Sequence, residues 1–355
     1  MNASQLFSGR AYSFNSEVGI EEDQAAFRFV SEVLSKSNLD INIEKLSEIE
    51  YNENFDAYKV ESNGYIYSVK ISFDENCEHI LNEINFYKNN SDSGLIPIYL
   101  DSGKIRIGSD IIFSICSFDN GSSIEEEGNL SIFENSDSFF YTIYNFANLK
   151  AKMSFGEYLN IYLRDTELDK CSEILKQSIS VNHDLEVVKE AFDLINKEVF
   201  EEFDKSLLGN DKCCHGTLCF DNIVTREGLY KLKNFNLSFV GSQFFDIAFL
   251  CVDSGFPKHM CLLLFERYCA FKGVDFIENK KEFSSCVKIC SGLFFSRILF
   301  DYLIEETIFE TRRPERLFAM CLKFSKSFHN LKHLNCSEIV GETLKNVITR
   351  PVITS

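Results

Sequence analysis

Between Cys213 and Val224 the chain reads CCHGTLCFDNIV, which places three thiols, one imidazole, one hydroxyl, one carboxylate and one amide within a single short stretch. Thiolates and imidazole are zinc ligands, but a zinc knuckle separates its cysteines by two residues and repeats the pair elsewhere. Cys213 and Cys214 are adjacent, Cys219 stands alone, and no second such pair exists. The cysteines here are therefore expected to be small buried hydrophobes, and no metal site is expected. Cys286 and Cys290, one helical turn apart, read the same way, as do Cys261 and Cys269. A hydroxyl nucleophile at Thr217 would need a base, and neither a Gly-x-Ser-x-Gly elbow nor a triad-like setting accompanies His79, His183, His259, His329 or His333.

Two further segments carry polar groups in suggestive positions. YSVKI ends an alternating run on Lys70, and ILNEINFY places Glu83 on the helix expected next. Downstream of the loop, LKNFNLSFVGSQFFDIAFL holds Asn234, Asn236, Gly241 and Asp246.

The elements that must position these groups are legible in outline. EEDQAAFRFVSEVLS, residues 21–35, spaces its apolar residues three and four apart and predicts a surface helix. FDAYKVESNGYIYSVKISF alternates on either side of Asn63-Gly64, the strongest short signal for a hairpin. CEHILNEINFYKNN predicts a helix, and GLIPIYLDSGKIRIGSDIIFSICSF two or three strands. Residues 1–44 are thus an N-terminal helical extension and 45–118 a small antiparallel sheet with one helix. The polar, acidic run 119–138 is a junction. Residues 139–347 form a mainly helical region with breaks at Gly273 and Pro314, and 348–355 form a tail.

In order and spacing, these features resemble the aminoglycoside phosphotransferase and choline kinase family, whose fold is protein-kinase-like. That family's catalytic loop typically reads His-Gly-Asp-Leu-His-x-x-Asn, against which His215, Gly216, Leu218, Asn222, Ile223 and Val224 align. The family's metal-binding Asp and its aromatic neighbour align with Asn234 and Phe235, and its closing Gly and Asp-Leu-Ala with Gly241 and Asp246-Ile247-Ala248. Lys70 and Glu83 occupy the places of the phosphate-binding lysine and its helix partner. The resemblance implies an α+β, two-lobed fold with a small antiparallel-sheet N-lobe and a larger, mainly α-helical C-lobe containing a catalytic-loop remnant at 213–248. It also implies a nucleotide cleft lined by Lys70, Glu83, Asn222 and Asn234. Asp246 and Gly241 take structural roles, with Asp246 bracing the loop and His215 packing beneath it.

The departures point away from catalysis. Thr217 stands where the family has its catalytic Asp, and the loss of a general base typically costs about 10²–10⁴ in rate. Asn234 and Asn236 are amides where carboxylates are expected, and Mg²⁺ is normally held by carboxylates together with phosphates. Asp221 is the one nearby acid, and its place beside Asn222 suggests that it points elsewhere. The run EIEYNENFDAYKV, where a phosphate-covering loop would lie, contains no glycine. The degenerate positions His215 and Thr217 leave no intact catalytic set.

The expected function is therefore that of a pseudokinase, a non-catalytic binding or structural protein. The alternatives are an atypical ATP-dependent small-molecule O-phosphotransferase and a nucleotide-binding sensor. No cofactor is required on this reading, and ATP with weak or absent Mg²⁺ is the one cofactor it admits. The partner expected is another protein or a second copy of the chain, and a small-molecule substrate is disfavoured.

Composition narrows the classes further. A net charge of −18 over 355 residues disfavours nucleic acid and anionic membranes, which require clustered Lys and Arg. Its densest acidic patch, Glu125 to Glu127, reads as a solvated surface. Thirteen cysteines behind a polar first segment with no apolar leader suggest a reducing cytoplasm. No apolar stretch approaches the roughly 20 residues of a spanning helix. The 35 phenylalanines and absence of tryptophan point to cores filled by phenyl rings.

Overall fold

The structure is a computed structural model that describes residues 20–51, 55–73, 77–107, 109–118, 122–123, 131–134, 136–164, 183–206, 208–209, 211–226, 229–308 and 328–348. The acidic patch at Glu125 to Glu127, most of the expected junction, Pro314 and nearly all of the expected tail lie outside the described residues. The chain divides into two compact units. The first comprises residues 1–122, 224–227 and 231–237, and the second comprises 123–223, 228–230 and 238–355.

The first unit begins with helix α1 (Ile20–Leu34) and continues through β1 (Lys45–Tyr51), β2 (Asp56–Ser62), β3 (Tyr65–Phe73), α2 (Glu78–Asn90), β4 (Tyr99–Ile107) and β5 (Ser109–Ser117). The five strands form one sheet in the order β1-β2-β3-β5-β4, with every neighbouring pair antiparallel. Asn63 and Gly64 take φ values of 50° and 77°, as a tight hairpin turn between β2 and β3 requires.

Period-two alternation gives the sheet two apolar faces. On one face Val60, Val69, Ile71, Ile111, Phe113 and Ile115 pack against Phe29, Val30, Val33 and Leu34 of α1. On the other, Ile112 meets Ile80 and Ile84 of α2. Fully burying one such side chain stabilises by about 1.5–3 kcal/mol. Helix α1 therefore belongs to this unit's core and is more than a surface extension. Strand β1 was not distinguished in the sequence because KLSEIEY is charged and only loosely alternating. Edge strands tolerate and even favour such residues, since charge there blocks pairing with other chains.

The described helices of the second unit include α3 (Ser136–Phe146), α4 (Phe155–Arg164), α5 (His183–Lys205), α6 (Phe245–Asp253), α7 (Lys258–Lys272), α8 (Phe276–Ile308) and α9 (Ser337–Ile348). Three short strands, β6 (Met153–Ser154), β7 (Lys212–Cys214) and β8 (Phe239–Gly241), make a small sheet in which β8 runs parallel to β6 and antiparallel to β7. Gly273 ends α7 in the left-handed conformation at φ 69°, where a glycine is least strained. Phenyl and phenol rings fill this core. Tyr158 stacks on Phe239 at 4.2 Å, Phe265 on Phe283 at 4.1 Å, and Phe155 on Phe239 at 4.8 Å.

Helices α5 and α8 lie close where Gly292 faces Val199 and Ile195, and Ser296 donates to Asn196 Oδ1 at 3.1 Å. Lys288 of α8 bridges Glu198 at 3.1 Å and Glu202 at 3.2 Å of α5. Glu198 also accepts the backbone N–H groups of Asn335 and Cys336, which fixes the approach to α9. A Cβ at Gly292 would fall inside van der Waals contact of Val199 Cγ2. Gly292→Ala is accordingly expected to cost about 1–3 kcal/mol by overpacking, even though alanine is the better helix former. Urea unfolding of the variant beside Gly292→Ala/Val199→Ala checks this, because the second substitution removes the clash and should recover part of the loss.

Among the described residues, no helix is long and apolar enough to cross a membrane.

Candidate functional site

The loop at Cys213 to Val224 is built by the second unit. Strand β7 delivers His215, and Asp246, in the first turn of α6, accepts the backbone N–H of His215 at 2.8 Å to Oδ2 and 3.0 Å to Oδ1. The Gly216 N–H reaches Asp246 Oδ1 at 3.2 Å. Gly216 sits at φ 88°, and its carbonyl accepts the Tyr158 hydroxyl at 2.7 Å. The loop therefore turns where only glycine turns easily, and it is held from both sides.

Asp246 is enclosed, and burial pushes its carboxyl up to about 7, while the N–H donors of His215 and Gly216 pull it back down. Helix-first-turn carboxylates are commonly stabilised by the free N–H groups there. Gly241 has no room for a side chain, because a Cβ would run into the Phe239 ring and meet Cys214 Sγ at 3.3 Å. These contacts give Asp246 and Gly241 architectural roles.

The chemically suggestive members of the loop are turned inward or away. Asn222 is buried, and its Nδ2 donates to the Thr217 carbonyl at 2.8 Å, closing the loop on itself. Thr217 is partly buried, and its backbone N–H points toward His215 Nδ1 at 3.4 Å. Asp221 is exposed. Burial drives the Cys213 and Cys214 thiols well above their ordinary range and Cys219 up to about 12, which keeps them protonated and poor nucleophiles. Among the described residues, no cluster of three or more His, Cys, Asp or Glu side chains could hold a metal ion.

The second constellation lies wholly within the first unit. Strand β3 carries Lys70, whose Nζ lies 2.9 Å from Glu83 Oε1 on α2, and both side chains are buried. The same ammonium donates to Asn234 Oδ1 at 3.0 Å. Glu83 Oε1 also accepts the Phe235 N–H at 3.0 Å and lies 3.4 Å from the Tyr87 hydroxyl. Asn82 donates to the Asn236 carbonyl at 2.8 Å, and Phe235 stacks on Phe86 at 4.9 Å and meets Tyr87 edge-on at 5.6 Å. Segment 234–236 is thus anchored to α2 by hydrogen bonds and rings together. Asn234 holds φ 63°, a left-handed conformation that asparagine tolerates better than most residues.

Sequence reasoning paired Lys70 with Glu83 and aligned Asn234 with them, and the structure brings these three into direct contact. His215, Thr217, Asn222, Gly241 and Asp246 gather separately around the loop in the second unit. One residue it missed is Phe55, whose ring centroid lies 4.8 Å from Lys70 Nζ and whose side chain is buried. The signal was present, since Phe55 is the bulky apolar residue that closes the polar run NEN where a glycine-rich phosphate loop was sought. Tyr158, which holds the Gly216 carbonyl, was also missed, because a tyrosine on a helix with apolar periodicity reads as core.

No protein-family model matches the sequence, and no curated protein matches it. Solved structures do match in fold. An apo, thermostable mutant of aminoglycoside phosphotransferase APH(4)-Ia superposes with a TM-score of 0.56 at 11% identity, covering 89% of this chain and 98% of that one. The amicoumacin kinase hAmiN, in complex with AMP-PNP, Ca²⁺ and Ami, gives 0.56 at 13% identity over 91% and 97%. Aminoglycoside phosphotransferase APH(2'')-Ib, bound to ADP, gives 0.52 at 15% identity over 88% and 98%. The fold is therefore that of the aminoglycoside phosphotransferases, a protein-kinase-like fold with an N-terminal antiparallel sheet and a mainly helical C-terminal region.

Proposed function

We propose that this chain is a non-catalytic member of the phosphotransferase fold, a pseudokinase that works by binding another protein or a second copy of itself. The observation that carries the reading is the partner of Lys70 in segment 234–236: its ammonium donates at 3.0 Å to the neutral amide of Asn234, at the position aligned with the metal-binding carboxylate.

The loop in the second unit supports the same reading. Thr217 offers no base near neutral pH, Asn222 donates its amide to the Thr217 carbonyl, Asp221 is exposed, and Asp246 is taken up by the loop's backbone N–H groups. In each unit the position aligned with a metal ligand carries an amide, Asn234 in the first and Asn222 in the second, and Mg²⁺ is normally held by carboxylates. What persists is bracing, by Asp246 beneath the loop and by Glu83 under segment 234–236. Selection for shape alone keeps such contacts.

A second reading, a nucleotide-binding sensor without turnover, is favoured by one observation: the Lys70–Glu83 pair is intact at 2.9 Å. The test of non-catalysis is phosphate transfer or release from ATP with Mg²⁺ or Mn²⁺, with and without hydroxyl acceptors that include aminoglycosides. The wild type is expected at the background of a Thr217→Ala/Asn222→Ala variant. Turnover above that background would make the chain an enzyme with an atypical site.

A further inference from the structure

We propose that Cys251 and Cys261 form a peroxide-sensitive thiol pair, a modification site at which a disulfide closes between α6 and α7. Both residues lie in the second unit, Cys251 near the C-terminal end of α6 and Cys261 at the start of α7. The chain reverses between them at Gly255, whose φ of 63° is left-handed, and the turn is pinned by the Phe256 N–H on the Cys251 carbonyl at 3.0 Å. From the other side, Cys261 Sγ donates to the Phe256 carbonyl at 3.2 Å. Phe256 thus ties the backbone of the first cysteine to the sulfur of the second. The Cys251 thiol in turn donates to Cys261 Sγ, so the two sulfurs already face each other.

The two members differ as an attacking and a resolving thiol must. Cys251 is fully buried, whereas Cys261 is 8% exposed. The S–H donated by Cys251, helped by the backbone N–H of Cys261 itself, holds the Cys261 thiol below its ordinary range in spite of burial. Elsewhere burial pushes Cys269 up to about 11 and Cys286 up to about 12. The thiolate is the nucleophile toward peroxide, so Cys261 is the sulfur that reacts first and Cys251 the one that resolves.

The oxidant is a hydroperoxide. The Cys261 thiolate attacks one peroxide oxygen, the O–O bond breaks, and the departing oxyanion takes up the proton that Cys261 lost, which leaves Cys261 as a sulfenic acid. The Cys251 sulfur then attacks the Cys261 sulfur. An S–S bond forms, the S–O bond breaks, and hydroxide leaves with the Cys251 proton as water. With hydrogen peroxide the sum is two thiols and one peroxide giving one disulfide and two waters. The bridge fastens α6, the helix whose first turn carries Asp246 beneath the loop.

The test treats the full chain with hydrogen peroxide, alkylates the remaining thiols and maps the unreduced peptides by mass spectrometry. The expected first product is a Cys251–Cys261 cross-link that dithiothreitol reverses. It should form at least about fivefold faster than Cys219 or Cys336 loses its thiol, although both of those are less buried than Cys261. In Cys251→Ala, dimedone should trap a sulfenic acid on Cys261, and in Cys261→Ser no cross-link should form at Cys251. Earlier oxidation of Cys219 or Cys336 overturns the proposal. So does a bridge from Cys251 to Cys290, its other sulfur neighbour, or a sulfenic acid that accumulates on Cys261 while Cys251 stays reduced. The wild-type map decides between these outcomes even where a variant fails to fold.

Discussion

Replacing Glu83 with alanine lowers the unfolding free energy by about 3–5 kcal/mol, the usual cost of stripping one partner from a buried ion pair. Glu83 Oε1 lies at 2.9 Å from Lys70 Nζ and 3.0 Å from the Phe235 N–H, so the substitution strips a buried ammonium of its carboxylate partner and removes the acceptor of that N–H. Urea unfolding followed by circular dichroism measures the loss. Glu83→Gln is expected to cost less, because the amide oxygen can still accept from both donors. The exposed pair Lys45–Glu61, at 3.4 Å, serves as the internal standard, and Lys45→Ala should cost no more than about 1 kcal/mol. A loss for Glu83→Ala as small as that of Lys45→Ala would mean that the pair is solvated, and the structural role assigned to it would fail.

Asp246→Ala is the second large effect. It removes the acceptor of the His215 and Gly216 N–H groups beneath the loop. Each buried donor that loses an acceptor costs about 1–3 kcal/mol, so a total of about 2–6 kcal/mol is expected. The same residue sets a pH dependence. Burial raises its folded pKa to about 7 from an ordinary 3.8, so between those values the folded state holds more protons than the unfolded chain. Stability from this group is complete below the lower value and falls as pH climbs through the upper one. Asp246→Asn cannot titrate, and subtracting its stability from that of the wild type cancels the other carboxylates. That difference should decline from about pH 4 to about pH 7 and then level off. A rising difference would mean that the carboxylate is held ionised throughout.

The parts of the fold that were legible in sequence are those fixed by local rules. Asn63-Gly64 has the residues that a tight hairpin turn demands, and Gly273 ends a helix because it tolerates φ 69°. The Lys70–Glu83 pairing was legible through the resemblance, which assigns these positions to a strand lysine and its helix partner; the residues alone left a surface pair open. Strand β1 was obscured because an edge strand has no need to alternate cleanly. The packing of α1 onto the sheet is a tertiary fact, decided by which face of the sheet lacks a cover.

In the site, residue identity showed Thr217 and Asn234 at the aligned positions, but not the contacts that surround them. Asn234 Oδ1 on Lys70 joins residues far apart in the chain, while Asn222 on the Thr217 carbonyl and Phe55 over the ammonium depend on how a loop and a hairpin fold back. No local periodicity encodes them. Cys213, Cys214 and Cys219 show the converse, because small buried hydrophobes were expected there and the structure buries Cys213 and Cys214.

The central claim is that these constellations persist as structure, with neutral amides where a metal would be held. It is tested most directly by thermal unfolding of the wild type with millimolar ATP in Mg²⁺ and again in EDTA. A ligand present at about 100 times its dissociation constant adds about 2.7 kcal/mol, enough to displace the transition visibly. The account predicts superimposable curves in both conditions. A stabilising shift that requires Mg²⁺ would contradict it, because that ion is normally held by carboxylates and the aligned positions carry amides.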